Sequence, residues 1–269
     1  LYWATRFSAP DAFIYVAGAD VAWVLVKDLE LDRAREQVRD AEVVSSSLYE
    51  RRLGDNPSPV GVLGEFLRER ELRRLLVPED FPVGTADRLR DAGFELDLAA
   101  LPLFPARAYK STEEIDAIAT AQCAAEAGMA AAVSALREAR IDGEGLVLDG
   151  VALTSQEIRR RIHHVLLEQD CVAHHTIVAG GEQAIDPHQA GHGPLPAHSP
   201  IIIDIFPQHT PSGYYGDITR TFVRGTVSPA VQRLYDTVAD AQNRALLQIR
   251  DGVDGRTIHD GVCEVFASA

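Results

Sequence analysis

Apolar and polar positions along the first hundred residues alternate between two periods. Residues 12–26, Ala-Phe-Ile-Tyr-Val-Ala-Gly-Ala-Asp-Val-Ala-Trp-Val-Leu-Val, read as two strands joined by a turn at Gly18–Asp20. Residues 28–39 place Leu29, Leu31, Ala34 and Val38 among charges and predict a helix. Further on, 60–63 reads as strand or turn, 64–71 as helix, 74–77 as strand, 85–92 as helix and 95–98 as strand. Such alternation predicts a small α/β domain over residues 1–105.

Leu101-Pro102-Leu103-Phe104-Pro105 cannot continue a helix and marks a linker. Beyond it the pattern changes. Ser111-Thr112-Glu113-Glu114 has the form of a capping box and opens a long Ala-rich helix over roughly 112–140. Thr154-Ser155-Gln156-Glu157 repeats the form and opens a second helix to about Gln169. Ser228-Pro229, a cap followed by proline at the first helical position, opens a third helix to Gly252. A strand-rich stretch, 172–224, lies between the second and third helices. A further helix begins near Thr257. Residues 106–269 are therefore expected to form an α+β domain.

Composition narrows the function. With 46% apolar and 25% charged residues the chain is of ordinary globular type. No apolar run is long enough to span a bilayer, and nothing marks a secretory signal, so a cytoplasmic protein is expected. The 40 acidic against 26 basic residues give a net charge of −14, without the electrostatic footprint for nucleic acid or an anionic membrane. Cys123, Cys171 and Cys263 are odd in number and widely spaced, and fit neither a zinc site nor a disulfide framework. They are expected to be buried or inert thiols.

Ser199 to Gly225 carries the candidate chemistry. Ile201–Phe206 is an apolar strand containing one carboxylate, Asp204. A Pro- and Gly-bearing loop follows, and Tyr214–Val223 reads as the return strand, containing Asp217. If Asp204 faces Asp217, both carboxylates share one face of the hairpin. Directly opposed side chains lie about 4.5–5.5 Å apart at Cβ, and like charges there are destabilising. Such a pair calls for a shared proton or a cation, and hard oxygen ligands suit manganese. Aspartate also starts turns at strand ends, so spacing alone leaves both roles open. Histidines concentrate between 174 and 209, and His188 follows Pro187 in a loop. It is a candidate acid–base or hydrogen-bonding group, and equally a plain surface residue.

Ile203-Asp204…Gly213-Tyr214-Tyr215-Gly216-Asp217-Ile218-Thr219-Arg220-Thr221 resembles the signature of the pita-bread metallopeptidases. Within them it is most similar to Xaa-Pro aminopeptidases and Xaa-Pro dipeptidases (prolidases). Arg107–Ile115, Leu153–Glu157 and Thr176–Gly181 with Pro187-His188 resemble other segments of that catalytic domain. Residues 1–105 look like a creatinase-type N-terminal domain lacking its first strand. The resemblance implies hydrolysis of the bond before proline by two divalent metal ions, manganese before cobalt or zinc. Asp204 and Asp217 would be metal ligands, with Asp217 shared between the ions. His188 would hydrogen-bond the substrate, and Thr219 would orient a ligand from behind.

Relatives of this kind need one further His and two Glu ligands, from the half of the domain that follows the third helix. These are not in this chain, and His259 and Glu264 fall in the wrong context to replace them. The chain is therefore expected to be an inactive excerpt of a longer enzyme, with an apolar face left open. The parent is expected to act on proline-containing peptides, to bind neither nucleic acid nor membrane, and to form a homodimer. Two other readings share the layout: a non-catalytic peptide- or protein-binding pita-bread module, and a metal-free creatinase-like amidinohydrolase.

Overall fold

The computed structural model describes residues 1–100 and 102–268. Leu101 of the expected linker and the terminal Ala269 lie outside the described residues. The chain forms two compact units, Leu1–Tyr109 and Lys110–Ala269.

The first unit runs α1 (Tyr2–Thr5), β1 (Ile14–Ala17), β2 (Ala22–Val26), α2 (Leu31–Gln37), β3 (Glu42–Ser45), α3 (Ser47–Leu53), α4 (Pro59–Glu69), β4 (Arg74–Val77), α5 (Val83–Asp91) and β5 (Glu95–Leu98). The hairpin predicted over 12–26 is β1 and β2, paired antiparallel, and β3 adds to β2 in parallel. Strands β4 and β5 form a separate parallel pair. Leu25, Tyr49, Val62, Phe66, Leu67, Leu89 and Phe94 make one core cluster, gathered from strands and helices of both halves of the unit. The Arg70 guanidinium lies 3.9 Å from the centre of the Phe66 ring and donates to the Tyr49 hydroxyl at 2.9 Å.

Residues 60–63, expected as strand or turn, are helical. The Ser58 hydroxyl accepts the Gly61 N–H at 3.0 Å and Pro59 takes the first helical turn, so α4 begins before Val60. Its buried Val62, Phe66 and Leu67 then supply a core stripe at helical spacing.

The second unit runs α6 (Thr112–Glu138), β6 (Arg140–Asp142), β7 (Gly145–Leu148), β8 (Val151–Ala152), α7 (Ser155–Leu167), β9 (Cys171–Val172), β10 (Ile177–Gly180), β11 (Pro200–Ile205), β12 (Gln208–His209), β13 (Ile218–Val223), α8 (Pro229–Gln248) and α9 (Gly255–Ser268). The capping box is complete: Glu114 N–H donates to Ser111 Oγ at 3.2 Å, and Ser111 N–H donates to the Glu114 carboxylate at 2.9 Å. Thr154 caps α7 in the same manner, accepting the Glu157 N–H at 3.1 Å. Helix α8 ends at Gln248, short of the expected Gly252. The antiparallel β6–β7–β8 sheet fills a stretch for which no strand is expected from the pattern.

Strands β10, β11 and β13 form a sheet with β11 in the middle. Ile201, Ile203 and Ile205 point into the core, at 0% exposure, together with Ile158, Ile162 and Leu166 of α7. A half-buried strand flanked by helices on one face leaves the other face for chemistry. Helix α8 buries only Ala241 and exposes Leu234, Tyr235, Val238, Leu246 and Leu247. Among the described residues no helix is long and apolar enough to cross a membrane.

The three cysteines are free, and one of them is buried as expected. Cys171 is buried, and burial beside Asp170 pushes its thiol pKa up. Cys123 and Cys263 are exposed.

Candidate metal centre

Alternation along β11 decides which side chains meet. Odd positions 201, 203 and 205 are buried, and the half-buried Ile202 and Asp204 take the opposite face. The return strand is shifted by two residues from the expected register. Asp204 pairs with Thr219, not with Asp217, and Ile205 pairs with Ile218. The return strand accordingly begins at Ile218 rather than Tyr214. Asp217 lies just before that strand, two residues ahead of Thr219. It is therefore not directly opposed to Asp204 across the ladder.

The turn that presents Asp217 is pinned to α6. Gly216 lies so close to the helix that a Cβ there would sit 2.4 Å from the Ala121 carbonyl oxygen, which excludes any other residue without a shift of backbone. The Gly216 N–H donates to the Pro207 carbonyl at 3.0 Å. The Asp217 N–H donates to the Gln122 side-chain oxygen at 3.0 Å. The Tyr214 hydroxyl donates to the Glu114 carboxylate, which also closes the capping box at the start of the same helix. Gly213, at φ 72°, supplies the left-handed turn. Each glycine and the first tyrosine of the Gly-Tyr-Tyr-Gly-Asp run thus has a separate mechanical reason. Gln122 and Glu114 are partners that no local pattern announces, since they lie 95 and 100 residues from the groups they hold.

On the open face the Thr219 hydroxyl donates to Asp204 Oδ1 at 2.5 Å. Burial, and next the negative charge of Asp204, push the Asp217 carboxyl above the ordinary aspartate range. The two carboxylates therefore sense each other.

His188 stands apart. It is exposed, in the segment that follows a short 3-10 turn at Gly181–Ile185, and its own N–H donates to Asp186 Oδ1 at 3.0 Å. Among the described residues no hydrogen bond or ion pair joins its ring to Asp204 or Asp217. The segment after it is held from three sides. Arg159 of α7 donates to the carbonyls of Ala190 and Gly191, Gln183 exchanges hydrogen bonds with the backbone of His192, and Gln156 accepts the Gly193 N–H at 3.0 Å. Gly191, at φ 80°, crosses β10 so closely that a Cβ would collide with the Val178 carbonyl.

Two carboxylates that sense each other's charge, one of them with an oxygen already satisfied by Thr219, fit part of a hard-cation donor set. They do not complete one. Among the described residues no group of three or more His, Cys, Asp or Glu side chains is placed to hold a metal ion.

The fold and sequence both have relatives. The structure superposes on the Xaa-Pro dipeptidase from Bacillus anthracis with a TM-score of 0.82 at 18% identity, covering 99% of this chain and 70% of that one. It superposes on the prolidase from Pyrococcus furiosus with a TM-score of 0.77 at 19% identity, covering 99% and 72%. These likenesses establish the two-unit α+β, pita-bread type of fold. In sequence the chain is 32% identical over 96 residues to Xaa-Pro aminopeptidase 2 of Streptomyces coelicolor, covering 35% of this chain and 20% of that protein. It is 30% identical over 130 residues to Xaa-Pro aminopeptidase 1 of the same organism, covering 45% and 25%. The chain thus spans a quarter or less of the length of these two relatives. Residues 116–269, more than half of the chain and including Asp204, Asp217 and Thr219, match the model of metallopeptidase family M24, and the chain belongs to that family.

Proposed function

We propose that this chain belongs to a metal-dependent peptidase that cleaves the bond preceding proline, as an Xaa-Pro aminopeptidase or dipeptidase. Residues 1–105 are its creatinase-like N-terminal domain and 106–269 the first half of its pita-bread domain. The observation that supports the reading is that the charges of Asp204 and Asp217 are felt by one another, with Thr219 bonded to Asp204, inside the segment that matches the M24 family.

In this reading Asp204 and Asp217 hold a pair of divalent ions, manganese first among them, with one His and two Glu supplied from outside these residues. When bound, the ions supply Lewis acidity and a water of lowered pKa. Asp204 keeps one oxygen on Thr219, which fixes the carboxylate plane and leaves the second oxygen for a cation. Asp217 is held through its backbone by Gln122, so its side chain is presented from a rigid turn. The raised carboxyl of Asp217 is what a neighbouring cation would reverse, since positive charge favours the ionised form. His188, on its clamped loop, donates a hydrogen bond to the substrate carbonyl side. The scissile bond before proline is a tertiary amide without an N–H, so the site must accept a ring where other peptides offer a donor. The parent protein is cytoplasmic and dimeric in this reading.

The test is to express the natural gene product that contains this chain and to measure manganese-dependent hydrolysis of Xaa-Pro against Xaa-Ala peptides. Cleavage of the first alone, abolished by Asp217→Asn, supports the proposal. A product that binds no metal would instead favour a non-catalytic peptide-binding module.

A further inference from the structure

Asp217 is aimed by a helix rather than by its own strand. It precedes β13, which begins at Ile218, so the ladder with β11 does not fix its peptide plane. The residue before it, Gly216, has no side chain to restrict its ψ, and that torsion sets where the Asp217 N–H points. On one side of the torsion the Gly216 N–H donates to the Pro207 carbonyl at 3.0 Å. On the other side the Asp217 N–H donates to the Gln122 side-chain oxygen, also at 3.0 Å. Gln122 is half-buried on α6, next to the Ala121 carbonyl against which Gly216 is seated. Glu114, which takes the Tyr214 hydroxyl, lies two helical turns before Ala121 on the same face. Tyr214, Gly216 and Asp217 are thus each fastened to one rigid element.

We propose that Gln122 is the positioning residue for Asp217: its side-chain oxygen fixes the peptide plane between Gly216 and Asp217, and thereby the direction in which the Asp217 carboxylate leaves the backbone. The inference rests on the reading of Asp217 as a metal ligand. The other two fastenings do different work. The seating of Gly216 fixes where the turn sits, and the Tyr214 hydroxyl fixes where it starts; neither touches the plane of the peptide that follows Gly216. Without an acceptor that peptide is free to turn about Gly216, and the Cβ of Asp217 turns with it. A ligand's outer partners set its orientation, so the looser carboxylate binds a cation less tightly. The oxygen of the Gln122 amide is the atom that can accept an N–H, so an apolar side chain of similar length cannot replace it. In this role Gln122 touches neither cation nor substrate and acts through Asp217.

The experiment uses the natural gene product that contains this chain, metal-free and with manganese, and two variants of it. Gln122→Leu removes the acceptor, and Gln122→Glu keeps an oxygen in its place. In the metal-free protein, hydrogen–deuterium exchange at the Asp217 amide is expected to be about five- to tenfold faster in Gln122→Leu, the size of one hydrogen bond, and native in Gln122→Glu. Manganese affinity by calorimetric titration is expected to fall about tenfold in Gln122→Leu and not to fall in Gln122→Glu, with unfolding midpoints as the check on folding. Native exchange in Gln122→Leu overturns the proposal, as does faster exchange with unchanged manganese affinity. So does an equal loss of affinity in both variants, which would trace the loss to packing rather than to the acceptor. An unaltered product that binds no manganese overturns the metal reading of Asp217 itself; the exchange comparison then still decides whether Gln122 holds the Asp217 turn.

Discussion

Thr219 stands directly across the ladder from Asp204 and donates its hydroxyl proton to Asp204 Oδ1 at 2.5 Å. Thr219→Val keeps the β-branched shape and removes that bond. On an exposed sheet face the loss is expected to cost about 1 kcal/mol or less in urea unfolding. In the natural gene product that contains this chain, manganese affinity is expected to fall about 10- to 100-fold by calorimetric titration, the size of effect that groups behind a metal ligand have. Unchanged affinity would remove Thr219 from the site.

Gly216 is the tightest point between the Asp217 turn and α6. Gly216→Ala puts a methyl 2.4 Å from the Ala121 carbonyl oxygen, a backbone atom that cannot swing aside. A loss of about 1–3 kcal/mol is expected in denaturant unfolding. Gly255→Ala is the control in the same unit, since a Cβ there meets nothing within 4 Å. It is expected to change stability by less than about 0.5 kcal/mol.

Ile162 is fully buried between α7 and α6, where a Cβ on Gly128 would come within 3.2 Å of its Cγ2. The two helices approach closely because Gly128 has no side chain. Ile162→Ala is expected to cost about 2–5 kcal/mol by equilibrium unfolding, with the spread set by how far α6 can settle into the gap.

His163 titrates below its ordinary value of 6.5, chiefly through burial of the ring and further through Arg159 and His174. Its Nε2 lies 3.0 Å from the hydroxyl of the buried Thr176. In the unfolded chain the ring takes its proton near the ordinary value; in the folded chain it does so only at lower pH. The unfolded state therefore binds more protons in that window, and stability falls as pH drops from above 6.5 through the depressed value. The full contribution is present above the ordinary value. Urea unfolding on the two sides of that window should show a larger loss for the native chain than for His163→Gln. Equal losses would show that His163 is not a source of the pH dependence.

Signals that act within a few residues are legible in the sequence. Ser111 with Glu114, Thr154 with Glu157, and Ser228 with Pro229 each announce a helix start, and the structure places a helix at each. Ser58-Pro59 is the same signal, yet Val60-Gly61-Val62-Leu63 reads as strand or turn because two valines and a glycine oppose a helix locally. Packing of Phe66 and Leu67 into the core overrides that preference. That the hairpin brings Asp217 close enough to Asp204 to feel its charge is also legible. The register itself is not. It depends on Gly216 seating against Ala121 and on Gln122 reaching the Asp217 backbone, contacts with a helix some 95 residues away that leave no mark on the local pattern.

The isoleucines of β11 also make the strand self-checking. A slip of one residue against β10 and β13 would turn Ile201, Ile203 and Ile205 out to water and drive Asp204 into the space they leave. Exposing each isoleucine forfeits about 1.5–3 kcal/mol, and an unpaired carboxylate in a core costs several more. Misaligned sheets are thus rejected at the folding stage, before any ligand is present. The orientation of the acidic face is inherited from the greasy one, so a substitution that never touches Asp204, such as Ile203→Asn, would erode the fidelity with which the site is assembled.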